Sequence, residues 1–227
     1  MLSSRPSTIA SDGPMESSQK KGKPRDAERT RKEILASAKS LFASKGLGGT
    51  RLDQVAEQAG VDKRLVYYYF KNKEALFQTV LEDAYADIRA AEDQLHLLEL
   101  QPAEAIRKLI HFTWNYYLKN PEFMRLINSE NLHGAVHLRE STRLKEVNSP
   151  LIHTLGLLLD KGRVDGIFRG GVDPLQLYLS LVGLTFYYLS NQHTLSLVFD
   201  CALGTPKALE ARFNHVNDFV MGYLISG

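Results

Sequence analysis

Residues 61–76 read VDKRLVYYYFKNKEAL and set Lys63 and Arg64 just before three consecutive tyrosines, Tyr67, Tyr68 and Tyr69. These residue types suit a polyanion. Arginine can chelate a guanine edge in the major groove, and lysine can reach guanine or phosphate. A tyrosine hydroxyl donates to phosphate oxygens while its ring packs against sugar and thymine methyls. On a helix, three adjacent side chains cannot share a face, because each step turns about 100°. With Val66 at zero, Phe70 falls near ~40°, and the two define a core side. Arg64 and Tyr68 then lie near ~160° and ~200°, opposite that core. Lys63 and Tyr67 flank on one side and Tyr69 on the other. Alone, the triplet would fit an amphipathic helix burying its rings, and a lone Lys or Arg is ordinarily a solvated charge. The combination of cations, phenols and a separate apolar face points to a nucleic-acid reader.

A reading helix needs a frame, and the flanking sequence supplies one. Ile34, Leu35, Ala38, Leu41 and Phe42 recur at helical spacing until Lys45-Gly46. Thr50, with Asp53 three residues on, predicts a variant capping box before Leu52, Val55, Ala56 and Ala59. Gly60 suits a left-handed cap, and Asp62 can cap the next helix over 63–69. Asn72 caps a fourth helix, begun by Lys73-Glu74, that runs into the nineties. A short helix, a glycine turn and a second helix have helix-turn-helix dimensions. Thr50 and Lys73 both fall at helix N-termini, where free N–H groups favour a phosphate.

The rest of the chain also reads as helix. Pro102 opens AEAIRKLIHFTWNYYLK, which Asn120-Pro121 stops. A short helix follows at EFMRLINSENLH, another at SPLIHTLGLLLDKGRV, and two more open at Asp173-Pro174 (to about 191) and Thr205-Pro206. With no period-2 strand and no repeat, the fold class is all-α with about nine helices. Charge divides along the chain. Residues 1–80 carry 15 Lys and Arg against 9 Asp and Glu, and residues 81–227 carry 13 against 17. The anionic partner therefore belongs to the first part. Its basic stretch KKGKPR ends a Ser/Pro/Gly-rich segment expected to be a disordered, solvated tail or an arm touching phosphates. No apolar run is long enough for a membrane span, no signal peptide is read, and the single cysteine, Cys201, excludes an internal disulfide. A cytoplasmic protein without a membrane partner is expected.

Residues 29–81 closely resemble the DNA-binding domain of TetR-family transcriptional regulators. The resemblance rests on Gly49-Thr50, Ala59-Gly60-Val61, Tyr67 to Phe70 and Lys73-Glu74. It implies that the third helix enters the major groove of double-stranded operator DNA. It also implies that Thr50, Lys63, Arg64, Tyr67, Tyr68, Tyr69 and Lys73 occupy contact positions. Asp62 and Leu65 depart from the residues common there. NPEFMRLINSENLHGAVHL and GRVDGIFRGGVDPLQLYLSLVGLTFYYLSN are similar to a RutR-like subgroup of the family. Composition gives a disordered basic tail over 1–24, and the resemblance implies a helix-turn-helix domain over 25–72 and a ligand-binding and dimerisation domain over 73–227. It further implies a dimeric repressor released by a small-molecule effector, with two helices paired across a homodimer. The broadly apolar helices at 174–191 and after 206 agree with such burial.

Phe112, Trp114, Tyr116, Tyr117, Phe123, Met124, Phe186 and Tyr187 are candidates to line the effector site. Aromatics at helical spacing are as readily plain core, though phenol and indole tips suit a mostly apolar pocket. Glu130, His133 and His137 share a helical face, but Gly134 interrupts it and no metal site is assigned. No cofactor is implied. An enzyme is disfavoured, since no P-loop, HExxH, GxGxxG or GxSxG motif occurs and Cys201 has no paired histidine. A helical module whose basic face meets an acidic protein or membrane surface is the remaining alternative, and it predicts no preference among DNA sequences.

Overall fold

The computed structural model describes residues 24–225, apart from the side chains of residues 24, 25 and 147–149. The expected basic tail lies outside the described residues, save Pro24, where the first helix begins. Among the described residues there are nine α-helices and one 3₁₀ turn, with no strand. They are α1 (Pro24–Gly49), α2 (Leu52–Ala59), α3 (Lys63–Phe70), α4 (Lys73–Asp93), α5 (Pro102–Lys119), α6 (Pro121–Leu132), α7 (Thr142–Val164), α8 (Pro174–Val198) and α9 (Pro206–Ile225). The 3₁₀ turn covers Leu97–Glu99.

Local chemistry sets most boundaries. α1 is interrupted at Gly46, whose φ of 69° and ψ of 176° leave helical space. Gly60, at φ 67° and ψ 30°, takes the left-handed cap of α2. Asp62 caps α3 by accepting from the Arg64 N–H at 2.8 Å, and Asn72 caps α4 by accepting from the Ala75 N–H at 2.7 Å. The prolines at 102, 121, 174 and 206 each open a helix, where the missing N–H costs nothing.

Three expectations change. Thr50 does not cap α2: the N-cap is Arg51, without a side-chain bond. The Thr50 side chain is buried, and its hydroxyl lies 2.8 Å from the Gly46 carbonyl and 3.2 Å from the Leu41 carbonyl. These bonds close the end of α1 after its glycine break. α7 begins at Thr142, eight residues before Pro150, because Ser141 caps it and is fastened to α4. The Ser141 hydroxyl donates to Glu82 at 2.7 Å, and Arg143 donates to Asp83 at 2.7 Å. α8 runs on to Val198, and polar residues of its last turns bond back to their own helix, as Ser196 does to the Gln192 carbonyl at 2.6 Å.

Two apolar clusters fill the molecule. One joins α1, α2 and α3 to α4, α5, α6 and α8 through Ile34, Phe42, Val55, Val66, Phe70, Phe77, Trp114 and Leu126. The other packs α5, α7, α8 and α9 around Leu109, Leu155, Leu181 and Val220. The three-helix unit is therefore not a separate globule, since its core residues share one cluster with Phe77 of α4, Trp114 of α5 and Leu126 of α6. Phe77 is fully buried and meets Phe42 edge-to-face at 5.0 Å and the His137 ring at 5.2 Å. Phe77→Ala should cost about 3–5 kcal/mol of unfolding free energy in a urea titration followed by helical circular dichroism.

Candidate nucleic-acid interface and regulatory cavity

The core side of α3 is Val66 and Phe70, both buried, and Arg31 of α1 lies over the Phe70 ring at 5.4 Å. Opposite them, the Arg64 side chain is 93% exposed and Tyr68 is 78% exposed. Tyr67 flanks at 45%, while Tyr69 is half-buried and packs against the core. The Tyr68 and Tyr69 rings meet edge-to-face at 5.1 Å. The face read from helical angles is thus the face the tertiary structure leaves open.

Charges on this face are tethered to α2 and to the turns. Lys63 pairs with Asp53 of α2 and sits over the Tyr67 ring at 5.7 Å. The hydrogen bond from Lys63 is the main cause that holds the Asp53 carboxyl below its ordinary value. Asp62 is likewise lowered, first by the backbone N–H of Arg64. Two acids therefore stay ionised beside the cations and fix their side chains in a lattice of surface pairs. Lys73 is only partly exposed, and its Nζ donates to the Leu47 carbonyl at 2.9 Å. It ties the start of α4 to the end of α1. Arg64, Tyr67 and Tyr68 thus stand open on one face with Lys63 at its edge, Tyr69 sits half beneath, and Thr50 and Lys73 are engaged behind it.

A helix-turn-helix with an exposed Arg/Tyr face, carried on a helical body, is a specific combination, and comparison with known proteins bears directly on it. The description "Bacterial regulatory proteins, tetR family" matches residues 34–80, and "Tetracyclin repressor-like, C-terminal domain" matches residues 102–220. The chain belongs to the TetR family. It is similar to the HTH-type transcriptional repressor NicS of Pseudomonas putida, at 35% identity over 86% of this chain and 92% of that protein. It is also similar to the HTH-type transcriptional regulator RutR of Escherichia coli strain K12, at 30% identity over 87% of this chain and 89% of that one. The fold is shared with the transcriptional regulator FadR from Bacillus subtilis, solved in complex with stearoyl-CoA, at a TM-score of 0.61 and 18% identity over 85% and 98% of the two chains. As a TetR-family member the chain is a DNA-binding transcriptional repressor, and its relatives are regulators, not enzymes.

Behind the TetR-type reading unit lie two cavities. One, of about 310 Å³, opens among α4, α5, α6, α7 and α8 and is lined by Tyr85, Arg89, Tyr117, Phe123, Tyr178 and Phe186 with aliphatic neighbours. The other, of about 540 Å³, lies among α4, the 3₁₀ turn and α7, with Arg89, Glu92, Asp93, His96 and Glu99 on its wall. Of the eight aromatic and methionine candidates, Tyr117, Phe123 and Phe186 line the first cavity. Trp114 and Met124 are buried in core, Phe112 and Tyr116 pack against it, and Tyr187 is 60% exposed. These five line neither cavity. Burial pushes the Tyr116 phenol up to about 12 and raises those of Tyr85, Tyr117 and Tyr178 as well, so all remain protonated donors.

Sequence reasoning missed Tyr85, Arg89, Glu92 and Tyr178. A signal existed: Phe77, Leu81, Ala84 and Ile88 form the buried stripe of α4, and Glu92 takes its next position. The Glu130–His137 arrangement is also plain only in three dimensions. The buried Glu130 carboxylate accepts from the His137 and Leu138 N–H groups at 2.9 and 3.1 Å and lies 2.7 Å from His137 Nδ1, closing the turn after α6.

Glu92 is pushed up to about 7, first by burial, with the Arg89 charge opposing. An acid that binds its proton more tightly when folded stabilises the fold below its ordinary value of 4.5 and loses that contribution as pH rises through about 7. Unfolding free energy should therefore fall between pH 5 and 7 with a slope approaching about 1.4 kcal/mol per pH unit from this group. Glu92→Gln should flatten the dependence in urea titrations across that range.

Proposed function

We propose that this TetR-family repressor acts as a homodimer that reads a palindromic operator with α3 and is released from it by a small-molecule effector. The observation that carries the reading is the outward pairing of Arg64 and Tyr68, opposite the Val66–Phe70 core side of α3. Arg64 would take a guanine edge, Tyr67 and Tyr68 would pack and donate to the duplex, and Lys63 and Tyr69 would reach the backbone. Lys73 and Thr50 contribute through the helix ends they hold in place. On this division residues 25–72 form the reading unit and residues 73–227 the effector and dimerisation part.

Dimer formation is supported by apolar residues left in solvent on α8 and α9. Leu175, Leu179 and Tyr187 repeat every fourth residue or its multiple on α8, and a Cβ at Gly183, on the same stripe, would meet open space. Phe219 and Tyr223 continue an equivalent stripe on α9. Two copies facing each other through these stripes would cover them and place two α3 helices for two half-sites. Effector control is supported by the cavities against α4, the helix whose first turn is tied to α1. The related fold in FadR accommodates an acyl-CoA.

Selection of bound DNA from a random pool by the purified protein should return a palindrome. On that sequence, Arg64→Ala should weaken binding by about 1–3 kcal/mol in fluorescence anisotropy, and Tyr68→Ala should weaken it as well. Unchanged affinity in both variants, or binding without sequence preference, would remove α3 as the reader. Phe219→Glu should shift the protein towards monomer in analytical ultracentrifugation and weaken operator binding together with it. A variant that remains dimeric would refute the assignment of that stripe.

A further inference from the structure

Arg89 is the most unusual residue in the effector part. Its side chain is nine-tenths buried on α4 and lies on the wall of both cavities. One Nη donates to the Tyr178 hydroxyl at 2.9 Å, the other lies 2.8 Å from a Glu92 carboxylate oxygen, and Nε is buried with no hydrogen-bond acceptor. A buried guanidinium is normally satisfied at all its donors, so an unpaired Nε–H here is a cost the fold carries without return. The two cavities differ in charge. The larger has Glu92, Asp93 and Glu99 beside Arg89 and is hostile to a further negative charge. In the smaller, Arg89 is the one charged residue among the described residues of its wall. The rest of that wall is aliphatic and aromatic, with the Tyr117 and Phe123 rings stacked at 6.0 Å and 12°.

The geometry points to a small organic anion, with its carboxylate on Arg89 and its ring among Tyr117, Phe123 and Phe186, as the ligand of the smaller cavity. The inference deepens the effector reading above and rests on it. A carboxylate complements the guanidinium in charge, and its oxygens can accept from the phenols of Tyr85 or Tyr178. Burial keeps those phenols protonated, hence donors. Glu92 supplies only part of the compensating charge near neutral pH, because burial raises its carboxyl. The cavity of about 310 Å³ is at the small end for ligand sites and selects a single-ring acid over a long chain.

The test uses the full chain with benzoate and phenylacetate as probes, against benzamide and phenylacetamide as neutral shape matches. Binding is followed by calorimetry and thermal shift, and operator release by anisotropy. The acids are expected to bind at least about tenfold more tightly than the amides. Arg89→Met should abolish that preference. Arg89→Lys, which keeps the charge but loses the fork, should retain a reduced preference, and helical circular dichroism checks that both variants fold. Equal binding of amides and acids, or an acid preference that survives in Arg89→Met, overturns the anion assignment and leaves the effector reading standing. If neither series binds, the anion assignment also falls, and a library of neutral single-ring compounds scored on operator release then decides the effector reading by itself.

Discussion

The burial of Phe77 is the contact on which the rest of the arrangement depends. Its ring is fully enclosed and joins three parts at once: Phe42 of α1, α4 itself, and His137 in the turn after α6. Aromatic pairs of this kind combine large burial with a preferred edge-to-face angle, so they fix orientation as well as proximity. It belongs to one apolar cluster that the three-helix unit shares with the larger helical body. The position of α3 relative to that body therefore follows from core packing and not from a linker.

α4 is the element that connects the reading unit to the cavities. At its start, the Asn72 cap follows directly on α3, and Lys73 bonds to the end of α1. In its middle, Glu82 and Asp83 hold the start of α7. Towards its end, Arg89 and Glu92 face the cavities. Packed interiors respond to a ligand by shifting between discrete arrangements rather than by bending smoothly. A helix that is fastened at one end to the reading unit and lines a cavity at the other is placed to convey such a shift. The buried Arg89–Glu92 pair is costly for stability alone, since buried ion pairs often do no better than apolar residues of like size. Its presence fits a site whose purpose is recognition.

Much of the architecture was legible in the chain. Proline at helix starts, Gly60 at a left-handed cap, and Asp62 and Asn72 at caps are local effects, and each was found where expected. The three errors arose where hydrogen bonds made in the folded chain outweighed the simplest local signals. Thr50 looked like a cap, but carbonyls freed by the break at Gly46 claim its hydroxyl. α7 looked as if it began at Pro150, but Ser141 and Arg143 anchor an earlier start on α4. α8 looked shorter because its last two turns are polar, and those side chains satisfy themselves on their own helix.

The sequence by itself determined the helical class, the family and the outward face of α3. Helical angle and residue type are local properties, and Arg64 and Tyr68 could lie only opposite Val66 and Phe70. Tertiary structure alone decided which aromatics are core and which line a cavity. Tyr117, Phe123 and Phe186 do line one, whereas Trp114 and Met124 do not, although all have the same helical spacing and apolar character. It alone also decided that Arg89 and Glu92 lie inside. A charged side chain at the end of a helix is normally solvated; along the chain only the apolar stripe of α4 points to Glu92, and nothing reveals that Tyr178 of α8 meets Arg89.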